Sequence, residues 1–298
     1  MNVSTSLNVF EKEHPIRLSV ERCRTAGFTC LDFNYWDHQP DIMRLSWSEE
    51  KTWAEDARAA ADTFGVRFTQ MHGPVHGDSF TEMVSGLTFE SFLELTKRSL
   101  HTAQILGVPW VVLHATVISL TGNEPYGQVL DFNCRFFQKL IPTLEATKVG
   151  IAIENIFDRI NPVSGPRYVR RRYCSVAEEL VELIDSINHP LVGACWDTGH
   201  AHTQALGQGE GIRLLGNRLK ATHIQDTDGG LKDHHFLPYY GTIDWDEVLR
   251  ALAAVNYAGD FTYEAHNSVR ALPDGLRDDA LVYAVKLGSF LIKRFNEL

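Results

Sequence analysis

The sequence predicts a single α/β domain over residues 1–298, a (β/α)8 TIM barrel, on three observations. Short apolar, β-prone runs alternate with longer segments of helical period, eight times in succession. The runs are apolar on both faces, and buried strands joined by helices lie parallel. A doubly wound open sheet is the competing topology, but no G-x-G-x-x-G follows the first strand to mark a dinucleotide site.

Taken in order, residues 3–6 read as strand one, and residues 16–26 as a helix with Leu18, Val20 and Cys23 on one face, ending before Gly27. Residues 28–33 are strand two. The second helix, 48–64, is opened by Ser48, carries the stripe Trp53, Ala57, Ala60 and Ala61, and stops at Gly65. Strand three is 66–71, helix three 89–106, strand four 110–113, helix four a single segment over 132–147, and strand five 151–153. Residues 157–174 form the longest loop of the series, with Pro162, Gly165, Pro166 and the basic residues Arg167, Arg170, Arg171 and Arg172. The second half continues with a helix at 176–187, strand six at 191–196, a short helix at 212–219 and strand seven at 221–224. A helix at 245–254, strand eight at 261–263 and a closing helix at 276–295 complete it.

Composition narrows the function classes. Hydrophobic residues make up 44% of the 298, ample for a large core. The five cysteines are scattered and never in a C-x-x-C spacing, so neither a disulfide framework nor a zinc ribbon is expected, and a reducing, cytoplasmic location is. Met1 to Ser6 lacks the basic and apolar segments of a signal peptide, and no apolar run is long enough for a bilayer, so no membrane partner is expected. A formal charge of −10 opposes attraction to a polyphosphate, so no nucleic-acid partner is expected either. A homo-oligomer fits the fold, since the outer helices of such barrels commonly pair.

The chemistry concentrates at strand ends. Glu154, Asp197, His223 and Glu264 each follow a β-prone run, ending strands five to eight. A barrel builds its site at the C-terminal ends of its strands, so these four converge on one mouth. Singly, each has an ordinary alternative: an acid after a strand caps the next helix, and a histidine satisfies a carbonyl. Together, converging carboxylates repel unless a cation neutralises them. Three oxygen donors and one nitrogen suit one divalent ion, Mn²⁺ first, with Mg²⁺ or Co²⁺ as alternatives. Such an ion on the carbonyl and hydroxyl oxygens of a sugar acidifies the intervening C–H and stabilises the enediolate. A carboxylate takes that proton, and its return or the loss of a leaving group decides between epimerisation, isomerisation and elimination. His200 is expected to bind a substrate hydroxyl, Trp36 near the end of strand two to stack on a sugar, and Trp110 is a weaker candidate for the same task. The run Arg170 to Arg172 reads either as a phosphate site or, better, as a solvated face.

These residues resemble a known family. Glu154-Asn155, Asp197-Thr198-Gly199-His200, His223-Ile224-Gln225-Asp226, and Asp233-His234-His235-Phe236-Leu237-Pro238 leading to Gly241-Thr242-Ile243-Asp244-Trp245 look like the xylose-isomerase-like barrel superfamily, in its sugar phosphate isomerase/epimerase branch. The resemblance covers essentially the whole chain. It implies a small carbohydrate substrate, Glu154, Asp197, His223 and Glu264 as metal ligands, and Glu154 and Glu264 as the acid–base pair. It also implies His72, His114 and His235 around the substrate. Ketose 3-epimerases carry an arginine six positions after the metal-binding histidine. Gly229 stands there instead, which argues against a free-ketose 3-epimerase.

A second reading comes from the same superfamily. The ligand types of endonuclease IV, a trinuclear zinc phosphodiesterase acting on abasic DNA, recur as His72, His114, Glu154, Asp197, His200, His223, Asp233, His235 and Glu264. The acidic balance of the chain weighs against it.

Overall fold

The computed structural model describes residues 1–77, 87–116, 124–161, 168–230 and 232–298. The chain runs through β1 (Val3–Ser6), α1 (Ile16–Ala26), β2 (Cys30–Asn34), α2 (Tyr35–Ile42), α3 (Trp47–Phe64), β3 (Arg67–His72), α4 (Phe89–Leu106) and β4 (Trp110–His114). Then come α5 (Tyr126–Gln138), α6 (Ile141–Thr147), β5 (Gly150–Glu154), β6 (Arg159–Asn161), β7 (Tyr168–Arg170), α7 (Ala177–Ile187), β8 (Val192–Asp197) and α8 (Thr198–Thr203). The remainder is α9 (Gln208–Leu215), β9 (Leu219–His223), α10 (Trp245–Ala254), β10 (Phe261–Tyr263), α11 (Asn267–Arg270) and α12 (Asp274–Asn296).

Eight strands pair in parallel in the order β10-β1-β2-β3-β4-β5-β8-β9. The ring closes where the Ile224 N–H donates to the Thr262 carbonyl at 2.7 Å and the Glu264 N–H donates to the Ile224 carbonyl at 3.1 Å. The expected (β/α)8 barrel is the fold, and its main core lies between strands and outer helices.

Boundaries differ where local chemistry was misread. Helix α3 is capped by Ser46, not Ser48: the Ser46 hydroxyl accepts the Glu49 N–H while the Glu49 carboxylate accepts the Ser46 N–H, a capping box. Helix α2 was not expected; Asn34 caps it by accepting the Asp37 N–H at 3.3 Å. The single helix expected over 132–147 is two, α5 and α6, with the break just before Pro142, which has no N–H to continue the ladder. The helix expected at 212–219 lies earlier, as α9, and stops at Gly216 in a φ of +55°. The loop at 157–174 holds the antiparallel hairpin β6–β7, and Pro162, Gly165, Pro166 and Arg167 lie outside the described residues. All five cysteines are free, and no described helix is long and apolar enough to cross a membrane.

Candidate active site

Strand alternation builds the site. Val112, Ala152, Cys195 and Ala221 form a small apolar cluster apart from the main core. Two residues on, where the side chain returns to the same face, stand His114, Glu154, Asp197 and His223. The barrel interior is thus an apolar plug topped by a layer of ligand-type side chains at the C-terminal mouth.

Within that layer the predicted quartet comes together. Glu154, Asp197, His223 and Glu264 are all buried, and one ligand atom from each lies within 4.8 Å of all the others. His223 Nδ1 is 2.6 Å from Glu154 Oε1 and 3.4 Å from Glu264 Oε2. The second Glu154 oxygen is 2.8 Å from His114 Nε2 and 3.8 Å from His72 Nε2. Asp197 Oδ1 accepts the His200 N–H at 2.6 Å, capping α8, and Gln225 Nε2 donates to both Asp197 oxygens at 3.2 Å. Asp197 therefore both caps a helix and belongs to the cluster. Gly199 is required for this, because a Cβ there would lie 2.3 Å from the Gln225 amide carbon.

The donor set fits a divalent cation. In the metal-free chain protons on His223 and Glu264 offset part of the quartet's negative charge. Burial, reinforced by Glu154 and Asp197, pushes the Glu264 carboxyl up to about 8 against the pull of His223 and His235. Burial disfavours a charged His223, but Glu154 and Glu264 outweigh it and hold the imidazole well above its usual range. Burial also opposes ionisation of Glu154, which His223 and His114 nonetheless keep well below the ordinary carboxylate range. Oxygen donors with one imidazole match a hard or borderline divalent ion. Cys195 also lies close to Glu154 and His223, but burial drives its thiol far up, so it serves as a neutral part of the plug.

Around the quartet runs a ring of histidines. His72 Nδ1 donates to the Gly73 carbonyl at 3.0 Å, which leaves Nε2 toward Glu154, and burial with the neighbouring His114 brings it down to about 4. Asp233 bridges two imidazoles, with its Oδ2 at 3.2 Å from His200 Nε2 and 2.7 Å from His235 Nε2. Their other nitrogens donate to backbone carbonyls, His200 Nδ1 to Asn155 and His235 Nδ1 to Glu264, both at 2.8 Å. Burial lowers His200, yet Asp197 and Asp233 raise it to about 10, so it is a cation in the metal-free chain. The segment bearing Asp233 and His235 is anchored by buried Asp226, which accepts the N–H groups of Thr227, Tyr239 and Ile243 and the Trp245 indole N–H.

His72, His114, Glu154, His200, Asp233, His235 and Glu264 line a cavity of about 390 Å³ together with Trp36, Phe157, Arg172 and His266, while Asp197 and His223 lie buried beneath it. Trp36 sits on α2 with its ring 6.3 Å from that of His72 and tilted 58° to it, at the cavity wall. Trp110 does not reach the mouth. It begins β4 at the opposite end of the barrel, under the Lys220 ammonium, and lines a larger depression of about 790 Å³ that holds no cluster of metal-ligand side chains among the described residues. The ligand-type side chains gather at the smaller cavity. Arg171 pairs with Asp158 and Glu179, which makes it part of the loop's own structure.

A family model described as xylose isomerase-like TIM barrel matches residues 20–284. The chain belongs to the xylose isomerase-like TIM barrel family. It is 28% identical over 262 residues to an uncharacterized protein of Sinorhizobium fredii, covering 84% of this chain and 80% of that one. A D-tagatose 3-epimerase-like protein shares the fold with a TM-score of 0.76 at 20% identity, covering 100% of this chain and 99% of that one. The 3-keto-D-glucoside 4-epimerase YcjR of E. coli shares it with a TM-score of 0.70 at 15% identity, covering 96% and 99%.

Within this family fold, sequence reasoning missed Asp32 and His266. Asp32 is fully buried on β2, with Oδ2 3.4 Å from His223 Nε2. Its signal was a lone acid inside the apolar run Leu31-Asp32-Phe33. His266 follows Glu264 by two residues, and its ring lies 4.2 Å from His235.

Proposed function

We propose that the chain is a divalent-metal-dependent sugar isomerase or epimerase that starts by removing a proton from the carbon beside a carbonyl, on a sugar, keto-sugar or inosose. The convergence of Glu154, Asp197, His223 and Glu264 carries this reading. These four would hold one ion, Mn²⁺ first and Mg²⁺ or Co²⁺ as alternatives. A cation bound there supplies electrophilic pull on a carbonyl and its neighbouring hydroxyl, which acidifies the C–H between them.

The protein's own residues do the rest. Glu154 and Glu264 have proton affinities pushed apart in the metal-free chain, low for one and about 8 for the other, as suits a pair that accepts and returns a proton. His72, His114, His200 and His235 line the space that the sugar would occupy, and Trp36 would offer it an apolar face. A cavity of about 390 Å³ takes a monosaccharide or a small glycoside. The likeness in fold to a D-tagatose 3-epimerase-like protein and to a 3-keto-D-glucoside 4-epimerase supports the substrate class. With a keto-glycoside, the same proton removal would permit elimination and make the enzyme a lyase.

A second reading rests on the His72–His114–Glu154 group and on Asp233 between His200 and His235, which supply further ligand types for a trinuclear zinc phosphodiesterase acting on abasic DNA. The net charge of −10 weighs against a duplex partner. Metal analysis of the purified protein separates the two. About one divalent ion per chain, lost in His223→Ala, fits the sugar enzyme; three zinc ions with cleavage of abasic DNA would replace it.

A further inference from the structure

Helix α12 is apolar on two faces. Its inner face packs Leu281, Ala284, Leu287 and Leu291 on the barrel. Its outer face carries Leu276, Tyr283 and Phe290, exposed to 51%, 44% and 52%. Spacings of seven are two helical turns, so the three side chains form one stripe along the helix. Tyr240, 61% exposed, extends the stripe sideways, with its ring 6.4 Å from that of Tyr283.

The charges beside this stripe are arranged by sign. Asp274 and Asp278 are paired with Arg22, Arg277 with Glu11, and Arg294 with Asp246. Asp279 and Lys286, by contrast, make no ion pair among the described residues, and both lie on the side of Tyr283 that faces outward. The acid stands four residues before Tyr283 and the base three after it.

We propose that α12 is the seam of a two-fold dimer of this chain. An antiparallel pairing about Tyr283 sets Leu276 against Phe290 of the partner subunit and Tyr283 against Tyr283 of the partner subunit. It also brings Asp279 within one residue of Lys286 of the partner subunit, and by symmetry the reverse. The surface is complementary to itself in residue spacing and charge, which is what an isologous interface requires. A helix of 23 residues is about 34 Å long, and Tyr239 and Tyr240, both exposed, widen the strip beside it. Those two tyrosines belong to the segment that carries Asp233 and His235, so the seam braces a wall of the active-site cavity from outside.

Sedimentation velocity between about 1 and about 100 µM tests this on the full chain, comparing wild type, Lys286→Asp, Asp279→Lys and the double reversal. A dimeric wild type, single variants at least about tenfold weaker in dimerisation with unchanged circular dichroism, and a double variant restored to within about threefold of wild type are expected. A wild type monomeric at about 100 µM overturns the proposal. So does a dimer indifferent to the single reversals, or singles that weaken it without rescue in the double.

Discussion

His223 lies between two carboxylates, one near each ring nitrogen: Nδ1 is 2.6 Å from Glu154 Oε1, and Nε2 is 3.4 Å from Asp32 Oδ2. Asp32 is itself fixed by the Gln70 amide at 2.8 Å and the His72 N–H at 3.2 Å. Such a partner orients a ligating imidazole and raises its basicity. Asp32→Asn is expected to weaken divalent-metal affinity by about 10- to 100-fold with the fold retained, measured by calorimetric titration and circular dichroism. Unchanged affinity would remove Asp32 from this role.

Metal binding is expected to strengthen as pH rises. Glu264 has an ordinary value of 4.5 and is pushed up to about 8 in the metal-free fold, so its contribution to that fold's stability is full below 4.5 and fades as pH climbs toward 8. A cation needs the carboxylate and must displace the proton, which becomes easier over that same window. The rise in melting temperature on adding Mn²⁺ should therefore be larger at pH 8 than at pH 6. An equal shift at both would mean that Glu264 does not bind the ion.

The strand-end residues were legible because barrel topology alone brings them together: once strands five to eight are placed, Glu154, Asp197, His223 and Glu264 share one mouth. What was not legible depended on direction along a strand or on tertiary partners. Trp110 opens its strand and Glu154 ends the neighbouring one, so residues of adjacent strands lie at opposite ends of the barrel. Asp32 sits within an apolar run, and only the fold shows that it faces His223 rather than a helix. The α5–α6 break was readable from Pro142, whereas α2 begins at Tyr35 directly after β2, whose last residue, Asn34, lies one beyond the expected end and caps the helix.

Asp226 anchors the segment that brings Asp233 and His235 over the mouth. Asp226→Ala leaves the Trp245 indole and three backbone N–H groups without their acceptor. A loss of about 2–4 kcal/mol in urea unfolding is expected, together with weaker substrate binding. Wild-type stability would show that the segment is held by other contacts.

At the far end of the barrel, a Cβ on Gly150 would lie 2.2 Å from the Trp110 ring. Gly150→Ala should displace that indole and cost about 1–3 kcal/mol, visible as a changed tryptophan emission and a lower melting temperature. Metal affinity should stay as in wild type, since Gly150 and Glu154 occupy opposite ends of β5. A loss of metal binding would mean that the two ends are coupled.

Proton abstraction itself is the central claim, and every route open to this site begins with it. Solvent deuterium incorporation into ketoses, inososes and 3-keto-glycosides, read by mass spectrometry, tests it most directly with metal-loaded protein, chelator-treated protein and Glu264→Gln side by side. Incorporation at one carbon of at least one substrate class, abolished by the chelator and by the variant, is the expected result. No incorporation across the panel with metal-loaded protein, or equal incorporation by Glu264→Gln, would contradict it.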